Sequence, residues 1–229
     1  MKIHGYQKLT LLDYPGHVAC TVFLGLCDFR CPFCHNYELT APPPRSEMGD
    51  EDFFAFLAQR KGQLDAVAVT GGEPCLRPDL PDFLQKIKAL GYKVKLDTNG
   101  HSPVMLSRVI AGGLVDYIAM DIKNSPKKYA KTAGVRMIDL TSIYNSISQI
   151  MLGKVDYEFR TTVVNELHEA SDFEAIGEMI KGARRYFLQP FKDSINVPYG
   201  GFHAPDDDTM KRYAQIAAGY VGEAKIRGM

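Results

Sequence analysis

Six short apolar runs set what this chain can fold into. Residues 17–24, 66–70, 93–98, 115–120, 158–164 and 185–190 are each five to eight residues long and rich in β-branched or aromatic side chains. That length and composition predict strands buried on both faces, as in a parallel sheet. Between them, apolar residues recur at helical spacing. Leu80, Phe83, Leu84, Ile87 and Leu90 share one stripe in 78–90, and Leu140, Ile143, Ile147 and Ile150 share another. A helix over 50–60 carries Phe53, Phe54 and Leu57. Ser102-Pro103 reads as a cap followed by proline at the first helical position. Ser171 and Glu174 read as a capping box ahead of Ile176 and Ile180. A last helix is expected from Pro205-Asp206, burying Met210, Tyr213 and Ala217. Strand and helix alternate, so the predicted fold class is α/β: a partial (β/α)6 barrel of parallel strands with a short N-terminal extension. That is two units short of a closed eight-fold barrel.

The 229 residues suit one domain. Residues 1–16 form the extension, with a hairpin turning at Asp13-Tyr14-Pro15-Gly16; 17–192 form the barrel; 193–229 form a C-terminal helical segment. Pro42-Pro43-Pro44 is expected to be a stiff connector. The formal net charge is +0, which gives no support to a nucleic-acid or membrane-surface role. No apolar run approaches the roughly 18 residues of a membrane span. The start, Met1-Lys2-Ile3-His4, lacks the apolar core of a signal peptide, so the expected location is cytoplasmic. Thiols stay reduced there, and clustered cysteines read as metal ligands rather than disulfides.

Cys27, Cys31 and Cys34 form such a cluster, spaced C-x3-C-x2-C just beyond the first strand. Three thiolates on one loop can hold three irons of a four-iron, four-sulfur (4Fe-4S) cluster and leave the fourth iron open. The competing reading is zinc with His35 as fourth ligand, against which adjacent ligands at 34 and 35 give awkward tetrahedral geometry. Gly71-Gly72-Glu73-Pro74 ends the second strand. Its glycines allow close backbone approach to a small zwitterion, with Glu73 as acceptor for an ammonium group; the plain alternative is a tight turn. Asp97-Thr98-Asn99-Gly100 ends the third strand, and Asp121 and Lys123 end the fourth. These suit contacts to a ribose and a carboxylate, or else are a turn and a solvated ion pair. All of these motifs fall at one end of the predicted sheet. Arg160, inside the fifth strand, needs a partner: a substrate carboxylate, Glu158 or Asp156. His168, just after the same strand, is likewise a candidate or else a surface-loop histidine; Cys20 reads as a core residue and Cys75 as a free thiol.

Taken together, these segments resemble the radical S-adenosylmethionine (SAM) enzymes. Cys27-Asp28-Phe29-Arg30-Cys31-Pro32-Phe33-Cys34 resembles the family's cluster motif, and Gly71-Gly72-Glu73-Pro74 its methionine-binding turn. The resemblance narrows to glycyl-radical-enzyme activating proteins, and among them to those of anaerobic ribonucleoside-triphosphate reductase. The closer match runs through Gly5-Tyr6-Gln7-Lys8, Leu12-Asp13-Tyr14-Pro15-Gly16, Lys95–Gly100, Val115–Lys123 and Phe159–Val164. It covers about residues 3–192 and only loosely the remainder.

The resemblance implies that Cys27, Cys31 and Cys34 bind one 4Fe-4S cluster and that SAM chelates its open iron. An electron from a flavodoxin-like or ferredoxin-like donor would cleave SAM to a 5′-deoxyadenosyl radical, which takes hydrogen from a glycine Cα of a partner glycyl-radical enzyme. By the same resemblance the Phe33 backbone contacts the adenine, and Gly71, Gly72 and Glu73 hold the methionyl amine. Asn99, Asp121 and Lys123 lie near the ribose and carboxylate, and a monovalent cation fits between Asp97, Thr98 and Asp121. The chain departs from many relatives in having Leu24-Gly25-Leu26 before the first cysteine, and Gln189-Pro190-Phe191-Lys192 where some carry a histidine. Two further readings remain. One is radical chemistry on a small pterin-derived molecule, as in 7-carboxy-7-deazaguanine synthases. The other is a non-catalytic iron–sulfur or zinc module.

Overall fold

The computed structural model describes residues 1–40 and 48–228; Pro42-Pro43-Pro44 lies outside them. In chain order the elements are β1 (Lys2–Ile3), β2 (Gly5–Thr10), β3 (Ala19–Leu24), β4 (Met48–Gly49), α1 (Glu51–Gln59), β5 (Ala66–Gly71), α2 (Leu80–Ala89), β6 (Lys93–Thr98), α3 (Pro103–Ala111) and β7 (Tyr117–Asp121). Then come α4 (Tyr129–Thr132), α5 (Leu140–Leu152), β8 (Asp156–Val163), α6 (Ala170–Met179), β9 (Tyr186–Pro190), α7 (Asp207–Ala218) and β10 (Ala224–Ile226). One eight-stranded sheet runs in the order β10-β9-β8-β7-β6-β5-β3-β2. Every pairing is parallel except β2 with β3. The sheet is open, with β2 and β10 at opposite edges.

The six expected strands form the middle of this sheet, as the partial-barrel reading requires. Two edges add to it. The N-terminal extension supplies β2, which turns through 11–18 and returns as β3. The C-terminal segment is not purely helical, because β10 pairs with β9. A three-residue strand is too short to show a sequence period. Helix α6 starts earlier than expected: Glu169 and Asp172, not Ser171 and Glu174, make its capping box. Among the described residues no helix is long and apolar enough to cross a membrane.

The two faces of the sheet differ. Side chains alternate along a strand. On the helix-covered face Val22, Leu24, Val67, Val69, Val94, Leu96, Ile118, Met120 and Phe159 are all at most 1 % exposed and join the main core. The opposite face carries small residues, Ala19, Ala66 and Ala119, joined by Tyr14 from the 11–18 turn and by Tyr117. Beyond this apolar floor that face turns polar, through Lys95, Asp97, Asp121, Glu158 and Arg160. Burial on both faces was expected; a charged inner face was not, because its ions hide among small side chains.

Candidate active site

A parallel sheet gathers all its C-terminal strand ends on one side, where α/β folds place their chemistry. A cavity of about 410 Å3 opens there. The loop after β3 brings Cys27, Cys31, Phe33 and Cys34 to its wall; the end of β5 and the residue after it bring Gly71 and Gly72; the end of β6 and the residue after it bring Asp97, Thr98 and Asn99. β7 and the residues after it bring Asp121 and Lys123, and β8 brings Arg160. Of the residues singled out from sequence as candidates for the site, Glu73 and His168 are off this wall.

Glycine makes the wall possible. Gly71 has φ +123°, and a Cβ there would stand 2.2 Å from the Leu24 carbonyl oxygen. A Cβ on Gly72 would stand 2.1 Å from the Leu26 carbonyl oxygen. This closeness lets Gly72 N–H donate to Leu24 O at 2.8 Å and Glu73 N–H to Leu26 O at 2.7 Å, stitching β5 to the cysteine loop. Leu26 itself takes φ 75°, a left-handed conformation costly for a branched side chain. It lies in the segment that departs from many relatives. On the far side, Arg30 N–H donates to Ala133 O at 2.9 Å, and a Cβ on Gly134 would meet Arg30 O at 1.9 Å. Gly134 was not singled out from sequence; its place inside Ala133-Gly134-Val135 carries no motif.

The cysteine loop is held from within as well. Arg30 caps the Cys27 and Phe29 carbonyls, and Phe29 N–H points at Cys27 Sγ from 3.4 Å. Asp28 accepts from Asn99 Nδ2 at 2.8 Å and pairs with His101 Nδ1 at 2.5 Å. Burial pushes the Cys27 thiol up to about 12 and the Cys31 thiol to about 11, and it raises Cys34 too. These thiols are therefore neutral at neutral pH unless a metal takes the proton's place. Among the described residues no three His, Cys, Asp or Glu side chains converge on one point as ligands of a single ion would. Cluster thiolates each hold a different iron, so they need no such convergence. Three cysteines on one cavity wall, with close-packed glycine backbone beside them, fit a cluster better than a zinc ion.

Glu73 is 1 % exposed and fully engaged. Its Oε1 accepts from Cys75 N–H at 2.9 Å and Thr98 Oγ1 at 2.8 Å, and its Oε2 from Asn99 N–H at 2.6 Å. It ties the β5 turn to the end of β6 rather than offering an acceptor to the cavity. Burial raises its pKa from 4.5 to about 7, against those three hydrogen bonds. Cys75 is buried beside it, and Cys20 lies in the core.

Arg160 pairs with neither Glu158 nor Asp156. Its Nε donates to Asp121 Oδ1 at 2.9 Å, and its Nη1 lies 3.4 Å from Asp97 Oδ2. Lys123 Nζ donates to Asp121 Oδ2 at 3.1 Å, and the buried Lys95 donates to Asp97 Oδ1. Burial works to raise the Asp121 pKa, but Arg160 and then Lys123 override it and hold the carboxyl well below the usual range. Glu158 instead accepts from Arg227 and, at 2.7 Å, from Tyr117 Oη. Asp156 pairs with Arg185. His168 is buried, not a surface-loop residue: its Nδ1 accepts from Val164 N–H at 3.1 Å and its Nε2 donates to Lys123 O at 3.0 Å. It thereby fixes the backbone that carries Lys123. Lys95 escapes a motif-based reading of the sequence, although a lysine two places before Asp97 in an apolar strand is the signal for it.

The sequence model described as the Radical SAM superfamily matches residues 21–172. A Methanocaldococcus jannaschii protein, provisionally named a glycyl-radical enzyme activating enzyme, is 30% identical over 98% of this chain and 95% of its own length. A Halobacterium salinarum 7-carboxy-7-deazaguanine synthase is 38% identical over 83% of this chain and 73% of its own. Among solved structures, a radical SAM methyltransferase from Sphaerobacter thermophilus superposes with TM-score 0.71 at 14% identity, covering 94% of this chain and 68% of that one. That last likeness shows the fold alone.

Proposed function

Because the chain belongs to the radical SAM superfamily, and within it to the glycyl-radical enzyme activating enzymes, we propose that it installs a glycyl radical on anaerobic ribonucleotide reductase. It is an enzyme of the radical SAM class, using a 4Fe-4S cluster and SAM. Bound together, these supply reductive cleavage of SAM to a radical that takes hydrogen from a glycine Cα. The observation that carries the proposal is the convergence of Cys27, Cys31 and Cys34 with Gly71-Gly72 and Asp121-Lys123 on one cavity.

In this reading Cys27, Cys31 and Cys34 would hold the cluster on the cavity wall, where it would meet bound SAM. Gly71 and Gly72 present backbone to the methionyl amine, and Glu73 acts from behind by fixing Asn99. Asn99 faces the ribose, the Phe33 backbone the adenine, and Lys123 and Arg160 the carboxylate. The electron comes from a flavodoxin-like or ferredoxin-like donor. The Halobacterium relative favours a second reading, in which the radical acts on a small molecule to give 7-carboxy-7-deazaguanine.

Incubating the cluster-loaded, reduced protein and SAM with anaerobic ribonucleotide reductase separates the two. Electron paramagnetic resonance should show a glycine-centred radical on the reductase. Formation of 7-carboxy-7-deazaguanine from an added carboxylated tetrahydropterin, with no glycyl radical on the reductase, would establish the second reading instead.

A further inference from the structure

We infer that the guanidinium of Arg160 takes the place of a monovalent metal cation between Asp97 and Asp121, so that the pocket works without one. The inference rests on reading this cavity as the SAM site. Asp97 and Asp121 stand at the ends of adjacent strands, β6 and β7, and both reach the cavity wall. Two carboxylates sharing one small space repel each other and require positive charge between them. A metal cation is one way to supply it, and this chain supplies side chains instead.

Each of the four carboxylate oxygens already faces a cationic nitrogen. Asp97 Oδ1 accepts from Lys95, and Asp97 Oδ2 lies 3.4 Å from Arg160 Nη1. Asp121 Oδ1 accepts from Arg160 Nε at 2.9 Å, and Asp121 Oδ2 from Lys123 at 3.1 Å. Of these three cations, Arg160 is the one that touches both aspartates, so it occupies the bridging position. It is rooted in the middle of β8, opposite Asp121 in the strand register, and its side chain is only 13% exposed. Ala119, opposite Asp97 in the register, leaves room for the long side chain to cross. The hydroxyl of Thr98, which a cation here would also use, is turned elsewhere: it donates to Glu73 at 2.8 Å and accepts from Gly100 N–H at 3.1 Å.

The charges agree with the geometry. Three cations, Lys95, Arg160 and Lys123, surround Asp97 and Asp121, so neither carboxylate is left without a positive partner. A metal ion would have to displace Arg160 from at least one aspartate. Guanidinium stays charged at all accessible pH values and holds its donors in a fixed fork, so it keeps this place permanently.

The test uses the cluster-loaded protein in potassium, sodium or tetramethylammonium chloride at equal ionic strength. Two quantities are read: the thermal unfolding midpoint without SAM, and SAM affinity by equilibrium dialysis. For the native sequence, the midpoint should not depend on the cation and affinity should vary by less than about twofold. In Arg160→Gln, affinity should fall about tenfold in tetramethylammonium, and potassium or sodium should restore part of it and raise the midpoint. A native protein whose midpoint or SAM affinity needs potassium or sodium would overturn the inference. So would a folded Arg160→Gln protein that responds to neither ion. If Arg160→Gln does not fold, the native protein decides. If SAM binds in no salt, the reading of the cavity fails, while the midpoints measured without SAM still decide whether Arg160 does the work of a cation.

Discussion

Glu73 shows how a residue can serve a site without facing it. Its carboxylate fastens Cys75, Thr98 and Asn99 from behind the wall, at the cost of a buried charge. Folding raises its pKa from 4.5 to about 7, burial being the main cause. The folded state therefore favours the neutral form. Its contribution to stability is full below about pH 4.5 and is lost as the pH rises through about 7. Buried His168 works the other way: burial holds its pKa below the ordinary value, so its contribution is present at higher pH and lost on acidification. Comparison with Glu73→Gln isolates the carboxylate. In the iron-free protein, the native sequence should lose stability between pH 5 and 8 relative to Glu73→Gln, on the order of 2–3 kcal/mol. Thermal or urea unfolding reads this directly, and parallel pH profiles would show that Glu73 is not the source. The residue type and place of Glu73 are plain in the sequence, but its direction is not. A Gly-Gly-Glu-Pro turn can aim the carboxylate inward or back, and the choice depends on the end of β6, far along the chain.

At the scale of elements, β10 is the piece least visible in the sequence. It has three residues, Ala224–Ile226, and the neighbouring Arg227 helps to hold it. Arg227 reaches both oxygens of Glu158, whose side chain is fully buried, and lies over the Phe187 ring at 3.9 Å. Arg227→Met keeps most of the stem but leaves Glu158 with only the Tyr117 hydroxyl. It should cost about 2 kcal/mol, less than a fully buried pair because Arg227 is partly exposed. Urea denaturation should show this loss largely relieved in Glu158→Gln/Arg227→Met. A neutral single variant would mean that the ion pair does not hold β10 to the sheet. The longer helices bury the stripes their periods mark. Helix α7 buries Met210, Tyr213 and Ala217 as its period requires, capped by Asp206 accepting from Thr209 N–H at 2.7 Å. Period alone does not fix the start of α6, because Glu169-Ala170-Ser171-Asp172 offers two overlapping caps.

At the scale of the whole molecule, parallel strand order does the assembling. Six strands separated by helices leave their C-terminal ends together, so residues as far apart as Cys27 and Arg160 meet on one cavity. That much is legible in the sequence, because each motif sits just past the end of a predicted strand. The pairing of charges is not: Arg160 finds Asp97 and Asp121 only through the registers of β6, β7 and β8, which no local pattern states. At the opposite end of the sheet, Tyr14 packs against Tyr117 at 5.6 Å between ring centroids, so the 11–18 turn closes the floor. The central claim is that this cavity runs radical SAM chemistry on a cluster held by Cys27, Cys31 and Cys34. The most direct measurement is product analysis after mixing the anaerobically reconstituted, reduced protein with SAM. Methionine and 5′-deoxyadenosine should appear in equal amounts, with neither cluster spectrum nor product from Cys31→Ala. A protein carrying its full cluster that forms no 5′-deoxyadenosine would contradict the account.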